Sequence, residues 1–241
     1  MRWVPLEGGG NFRDVGGYPT TDGRRTRFGV LYRSGALDAL TGSGVDDFRR
    51  LGIRSIVDLR TAEERAPLPW IDDAAVEVTW LPSSNPAAAS IAFGSYDPGS
   101  LYIAAIEDRA RQIPTVLDLV ADPRRLPVVV TCSGGKDRTG MVIALLLGIL
   151  GVPDDTIVED YALSDEFMTR DATGFSAALE RVTAAGLDPE VLRTRPDTMW
   201  RFLREISARS GSIRAFALEL GVPAEVVEQA RTNLLEASDG R

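Results

Sequence analysis

The sequence predicts an α/β fold: a mainly parallel central sheet flanked by helices, with a helical C-terminal part. Three observations predict it. Short β-branched and apolar runs alternate with segments of helical period up to residue 150. After Pro153 the strand signals stop and only helical segments follow. The chain has 241 residues, 44% of them apolar, which is enough for a sizeable core. No internal repeat or low-complexity linker divides it, so one domain over residues 1–241 is expected.

Residues 28–33 (Phe-Gly-Val-Leu-Tyr-Arg) read as a short strand. Residues 42–51 read as a helix, with Thr41 or Ser43 as N-cap and Gly52 as terminator. Residues 53–59 (Ile-Arg-Ser-Ile-Val-Asp-Leu) read as a buried strand, and residues 76–81 alternate as another. Residues 83–98, rich in Ser, Ala, Pro and Gly, read as an irregular loop. Residues 100–121 are helical in pattern, with Pro114 dividing two helices. A strand over 127–131 leads into a loop, and a helix over 137–150 follows, ended by Gly151. Further helices are expected over 154–162, 165–172, 175–185, 197–210, 212–220 and 224–235. Pro196, Gly211, Gly221 and Pro223 supply breaks among them. This helical part (about 153–241) either packs on the sheet or covers the site as a lid, and periodicity does not separate the two.

Composition excludes several classes of function. Lys and Arg total 27 against 35 Asp and Glu, a net charge of -8. That disfavours a nucleic-acid binder and attraction to anionic membranes. The longest apolar run, residues 141–150, is too short to span a bilayer. The N-terminal residues lack a signal-peptide core, and a single cysteine suits a reducing, cytoplasmic compartment. There is no histidine, hence no Ser-His-Asp triad, Cys-His pair or His-ligated metal. No cofactor is implied, and acid–base work falls to Asp, Glu, Lys, Tyr or water.

The chemistry points to residues 128–140, Val-Val-Val-Thr-Cys-Ser-Gly-Gly-Lys-Asp-Arg-Thr-Gly. A β-branched run feeds a loop that opens with Cys132; Arg138 follows after five residues, and a long apolar helix begins. The first N–H groups of a helix lack internal partners and face whatever lies before them, in the positive end of the dipole. Gly134 and Gly135 allow the backbone angles that make successive amides of Ser133 to Arg138 converge. Arg138 offers a planar fork for two phosphate oxygens. The same field favours an ionised Cys132 sulfur, to which Thr139 can donate its hydroxyl. Lys136 adds a cation, read either as a phosphate contact or as a solvated lysine. A buried structural cysteine is the bland alternative; the order strand, Gly-rich loop, arginine, helix weighs against it. A nucleotide-binding Gly-x4-Gly-Lys-Ser/Thr loop is excluded because Asp137 follows Lys136.

The segment Cys132–Gly140 resembles the signature loop of the atypical bacterial protein tyrosine phosphatases. The runs 11–18 (Asn-Phe-Arg-Asp-Val-Gly-Gly-Tyr), 31–37 (Leu-Tyr-Arg-Ser-Gly-Ala-Leu) and 56–60 (Ile-Val-Asp-Leu-Arg) resemble further motifs of that family, as do 210–213 and 220–222 in its closing helices. The resemblance spans nearly the whole chain. It implies a protein tyrosine phosphatase-like fold and metal-free phosphomonoester hydrolysis through a phosphocysteine. Cys132 is then the nucleophile, and Arg138 with the loop amides stabilises the transferring phosphoryl group. Asp137 is the first choice for the acid and base, with Asp58 second; a carboxylate that fixes Arg33, Arg60 or loop backbone is the preferred reading of Asp58. The family usually has His where this chain has Thr131, which leaves a phosphate-binding pseudophosphatase as the alternative. An arsenate-reductase-type thiol enzyme would recruit further cysteines, and there are none. The implied partners are phosphotyrosine proteins or other phosphomonoesters, with phosphoinositides as an option raised by Lys136.

Overall fold

The computed structural model describes residues 2–65, 75–82, 98–170 and 188–236, with a few positions between 176 and 186. Five strands form one sheet: β1 (Arg13–Asp14), β2 (Leu31–Ser34), β3 (Ser55–Asp58), β4 (Glu77–Trp80) and β5 (Val128–Thr131). Their order is β1-β2-β5-β3-β4. β1 pairs antiparallel with β2, and the other pairings are parallel. β5 is therefore central, with Thr131 opposite Ser34 on one side and Asp58 on the other.

The strands read as unbroken apolar runs because both faces of the sheet are covered. On one face Tyr32, Ile56 and Val129 meet Phe12, Leu37 and Phe48, the last from α1 (Gly42–Arg50). On the other face Leu31, Val57, Val128 and Val130 join the larger core. Val128, Val129 and Val130 are all fully buried. At about 1.5–3 kcal/mol for each fully buried large aliphatic chain, this run secures its place at the sheet centre.

The larger core is built by α2 (Pro98–Ala121), α3 (Asp137–Leu150), α4 (Asp154–Arg170), α5 (Pro196–Ser210), α6 (Ile213–Glu219) and α7 (Ala224–Leu234). α3 is buried on nearly every side. Gly151, at φ 87°, turns the chain out of it in the left-handed conformation that glycine tolerates. The α2 helix packs on α7, and α5 on both α4 and α6.

Two expected breaks are absent. α2 runs unbroken through Pro114. A proline inside a helix costs about 3 kcal/mol. Ile113, Val116, Leu117, Leu119 and Val120, all fully buried, repay more than that by keeping one stripe against the core. α4 likewise continues through residues 162–165, which hold neither Gly nor Pro; Asp160, Tyr161, Ser164 and Phe167 share its buried face. Thr41 stands at the N-cap of α1 but makes no side-chain capping bond, and Ser43 Oγ donates instead to Glu7 Oε2 at 2.6 Å. The loop expected over 83–98 lies, up to residue 97, outside the described residues. So do five of the eleven positions of the helix expected over 175–185; the six described positions are helical. Among the described residues no helix is long and apolar enough to cross a membrane.

Candidate active site

The loop between β5 and α3 begins at Cys132, which is buried and free. Its shape follows from where its carbonyls go. Ser133 C=O accepts from Ala36 N–H at 3.0 Å. Gly134 C=O accepts from Asn11 Nδ2 at 3.1 Å. Gly135 C=O accepts from Arg33 Nη2 at 2.8 Å, and Lys136 C=O from the same nitrogen at 3.3 Å and from Gly140 N–H at 2.7 Å. Each carbonyl is drawn outward to the scaffold, so the amide of the following residue is turned to the opposite side. Among the described residues the N–H groups of Ser133, Gly134, Gly135, Asp137, Arg138 and Thr139 have no hydrogen-bond acceptor. Such a ring of converging donors at the start of a helix is an anion cradle.

The two loop glycines are not equivalent. Gly135 sits at φ 65°, and a Cβ there would lie 2.4 Å from Ser34 carbonyl carbon. A Cβ on Gly134 would meet nothing nearer than Met168 Cε at 3.9 Å. Only Gly135 is demanded by sterics, because the loop backbone lies directly on the end of β2.

Beneath the cradle lies a buried polar network. Asp160 of α4 accepts from Tyr18 Oη at 2.8 Å, from Arg13 Nε at 3.3 Å and, in a very short contact, from Arg33 Nη1. Arg13 also donates to Asn11 Oδ1, to Asp160 C=O at 2.8 Å and to Ser164 Oγ at 3.1 Å. Burial alone would raise the Asp160 carboxyl; Arg33 and Arg13 outweigh it and hold it down at about 2. Burial, then the neighbouring Arg33, lowers Arg13 to about 10. Two guanidiniums thus share one carboxylate directly behind the loop.

Arg138 is nearly buried in the first turn of α3. Nη1 donates to Leu59 C=O at 3.2 Å and to Glu64 Oε2 at 2.5 Å; Nη2 donates to Glu64 Oε1 at 2.7 Å. Burial works against its charge, but Cys132 and then Glu64 outweigh it, and its pKa lies above the ordinary arginine value. A second guanidinium, Arg109 of α2, is fully buried and donates to Arg138 C=O at 3.2 Å. Burial lowers it to about 10.

Asp137 opens α3. Its Oδ1 accepts from Tyr161 Oη at 2.7 Å, and Oδ2 lies 3.5 Å from Lys136 Nζ. Lys136 Nζ also donates to Arg193 C=O at 3.0 Å. Thr139 Oγ1 is buried with no hydrogen-bond partner among the described residues. Thr131 Oγ1 donates to Gly35 C=O at 2.5 Å, which ties the end of β5 to the chain leaving β2. Ser133 Oγ donates to Glu64 Oε1 at 2.7 Å. Asp58 stands at the end of β3, but its carboxylate is taken up by Arg60, which donates through N–H at 3.0 Å, Nε at 3.1 Å and Nη2 at 3.0 Å. Arg65 Nε stands 3.5 Å away.

The structure therefore gathers Cys132 to Thr139 into one cradle and sets Asp58 beside it as the anchor of Arg60. Sequence reasoning missed Glu64, Tyr161, Asp160 and Arg109. Glu64, Tyr161 and Arg109 reach the loop or the start of α3 across a long stretch of chain, Asp160 does so through Arg33, and no local pattern marks them.

Among the described residues no cluster of Cys, Asp or Glu could hold a metal ion. Curated relatives similar to the chain include two that match most of its length. The triple specificity protein phosphatase PtpB of Mycobacterium tuberculosis is 29% identical, over 95% of this chain and 98% of its own length. A putative tyrosine-protein phosphatase of Cupriavidus necator is 30% identical, over 88% of this chain and 82% of its own. The profile of the tyrosine phosphatase family matches residues 4–236, and with that coverage the chain belongs to the tyrosine phosphatase family.

Proposed function

We propose that this chain is a cysteine-dependent phosphomonoester hydrolase of tyrosine or dual specificity, acting as one phosphatase domain. The observation that carries the reading is the outward pinning of four successive loop carbonyls, which leaves a ring of unpaired amides around the space between Cys132 and Arg138. Family membership and the similarity to phosphatase relatives support it.

In the first step Cys132 sulfur attacks phosphorus, an S–P bond forms and the P–O bond to the leaving group breaks. Asp137 gives its proton to the departing oxygen. Tyr161 holds Oδ1, so Oδ2 is the oxygen that carries this proton. The loop amides and Arg138 bear the charge of the equatorial oxygens. In the second step water attacks phosphorus, Asp137 takes the water proton, the S–P bond breaks and inorganic phosphate leaves. Thr139, whose buried hydroxyl has no partner among the described residues, is the hydrogen-bond donor toward the thiolate that the cleaved S–P bond releases. Thr131 holds the loop through its hydroxyl, the orienting role expected of the family's usual histidine.

Aryl phosphates of the phosphotyrosine type are the proposed substrates. Phosphoinositides are the second class, through Lys136. Its Nζ donates to Arg193 C=O, and an ammonium carries three donors, so a neighbouring phosphate could be bound beside that bond. Hydrolysis of p-nitrophenyl phosphate and of a phosphotyrosine peptide, with Cys132→Ser as control, tests the reading. Turnover lost in the variant with phosphate binding kept is the expected result; a variant keeping a tenth of wild-type kcat would contradict it. Lys136→Ala should lower kcat/KM for a soluble short-chain phosphoinositide more than for the peptide. Equal losses would remove the phosphoinositide class.

A further inference from the structure

The carboxylate of Glu64 faces the Arg138 fork end-on, at 2.5 and 2.7 Å from Nη1 and Nη2. Two readings compete. Either the carboxylate stands in for phosphate and blocks the site, or it holds the guanidinium for a phosphate that arrives on another edge. The donor count decides. Nη1 spends its two hydrogens on Leu59 C=O and Glu64. Nη2 spends one on Glu64, and its other reaches only weakly to Ser133 Oγ at 3.4 Å. Nε makes no hydrogen bond among the described residues. The Nε–Nη2 edge is thus left for two oxygens of a phosphoryl group, the bidentate grip that suits a guanidinium.

Glu64 is itself fixed. Thr61 N–H donates to Oε2 at 2.9 Å, and Glu64 N–H is directed back at Thr61 Oγ1 at 3.4 Å. This reciprocal pair is the capping-box arrangement of a Thr-x-x-Glu turn. Oε1 is occupied by Ser133 Oγ. A carboxylate with donors on both oxygens, braced by its own turn, is built to stay. Burial pushes the Glu64 carboxyl up, but Arg138 and then Thr61 and Ser133 outweigh it and hold it at about 2, so it remains charged at working pH.

We propose that Glu64 is a positioning residue: it locks the end of the Arg138 guanidinium so that the Nε–Nη2 edge is aimed at the phosphoryl group in the transition state. The inference rests on the phosphatase reading above and adds to it a residue from outside the loop. Glu64→Ala should lower kcat with p-nitrophenyl phosphate about 10–100-fold, the scale set by small misplacements of a catalytic group. KM should stay level or fall, since a negative charge has left the site. Formate, small enough to refill the space, should raise kcat of Glu64→Ala and leave wild type unimproved. Glu64→Ala with unchanged kcat and a lower KM, or with inhibition by formate, would establish the blocking carboxylate and overturn the proposal. A readout independent of turnover separates this from failure of the phosphatase reading. By calorimetry, the preference for vanadate, which adopts the five-coordinate shape, over inorganic phosphate should fall about tenfold in Glu64→Ala relative to wild type, in keeping with a less ordered guanidinium. An unchanged preference would overturn the positioning role even if wild type proved inactive.

Discussion

At the scale of single residues, the acid assignment is the sharpest claim. Asp137 Oδ1 is held by Tyr161, while both oxygens of Asp58 are engaged by Arg60. Asp137→Asn should therefore depress kcat strongly for phenyl phosphate and much less for p-nitrophenyl phosphate, whose leaving group needs little protonation. The expected loss is on the order of 10²–10⁴-fold, the usual contribution of general acid catalysis. Asp58→Asn should show no such leaving-group dependence; the reverse pattern would exchange the two roles. Asp160 gives a pH prediction. Its folded value of about 2 lies below that of an unfolded aspartate, so its contribution to stability is complete above about pH 4. That contribution is lost as pH falls through about 2. Asp160→Asn should flatten this acid slope in denaturation midpoints, and it should cost about 3–5 kcal/mol at neutral pH by leaving two buried guanidiniums uncompensated. An acid slope equal to that of wild type would contradict the network described here. The grouping of Cys132, Asp137 and Arg138 in one loop was legible in the sequence because the three lie within nine consecutive positions. Glu64 and Tyr161 were not, because an ordinary Thr-x-x-Glu turn and a tyrosine on a helix face carry no local sign of what they touch.

At the scale of elements, the loop and its glycines separate what the backbone needs from what it tolerates. Gly135→Ala must place a Cβ against the end of β2 at positive φ, whereas Gly134→Ala makes only an ordinary contact with Met168 Cε at 3.9 Å. The first should cost at least about 1–3 kcal/mol and most of the activity; the second should leave stability nearly unchanged. Equal effects in thermal unfolding would show that the tight packing on Ser34 is not real. The strand runs and the helix over 137–150 matched the expectation from sequence, since β-branched runs, a terminating Gly151 and continuous apolar character are local signals. The continuity of α2 through Pro114 was not legible. A proline signals a break locally, and only the burial of Ile113, Val116 and Leu117 against the core overrides that signal. Pro114→Ala should accordingly raise the thermal midpoint by restoring the missing bond to Ala110 C=O, without altering kcat.

At the scale of the whole molecule, a net charge of -8 surrounds a site built from Arg138, Lys136 and the buried Arg13, Arg33 and Arg109. Arg13 and Arg33 are paired with Asp160, Arg138 with Glu64 and Lys136 with Asp137, and the placement of these cations is set by which guanidiniums the fold buries, a property that composition conceals. The helices after residue 153 contribute Phe202, Ile206, Phe216, Val227 and Leu234 to the same core as Val128 and Val130. Residues 25–27 are also bonded to the chain end through Arg27 N–H to Leu234 C=O at 2.7 Å and Glu236 N–H to Arg25 C=O at 2.9 Å. Phe216→Ala should then lower one cooperative unfolding transition by about 3–5 kcal/mol, with protection of Cys132 from alkylation lost in the same transition. Two separate transitions would argue for independent units.

The central claim is that phosphorus passes through Cys132. The most direct measurement is acid quench of the enzyme during turnover of a radiolabelled aryl phosphate, followed by peptide mapping. The account predicts an acid-stable phosphoryl label on the peptide that holds Cys132, increased in Asp137→Asn with a good leaving group and absent in Cys132→Ser. Turnover without that label in Asp137→Asn, or label on any other residue, would contradict it.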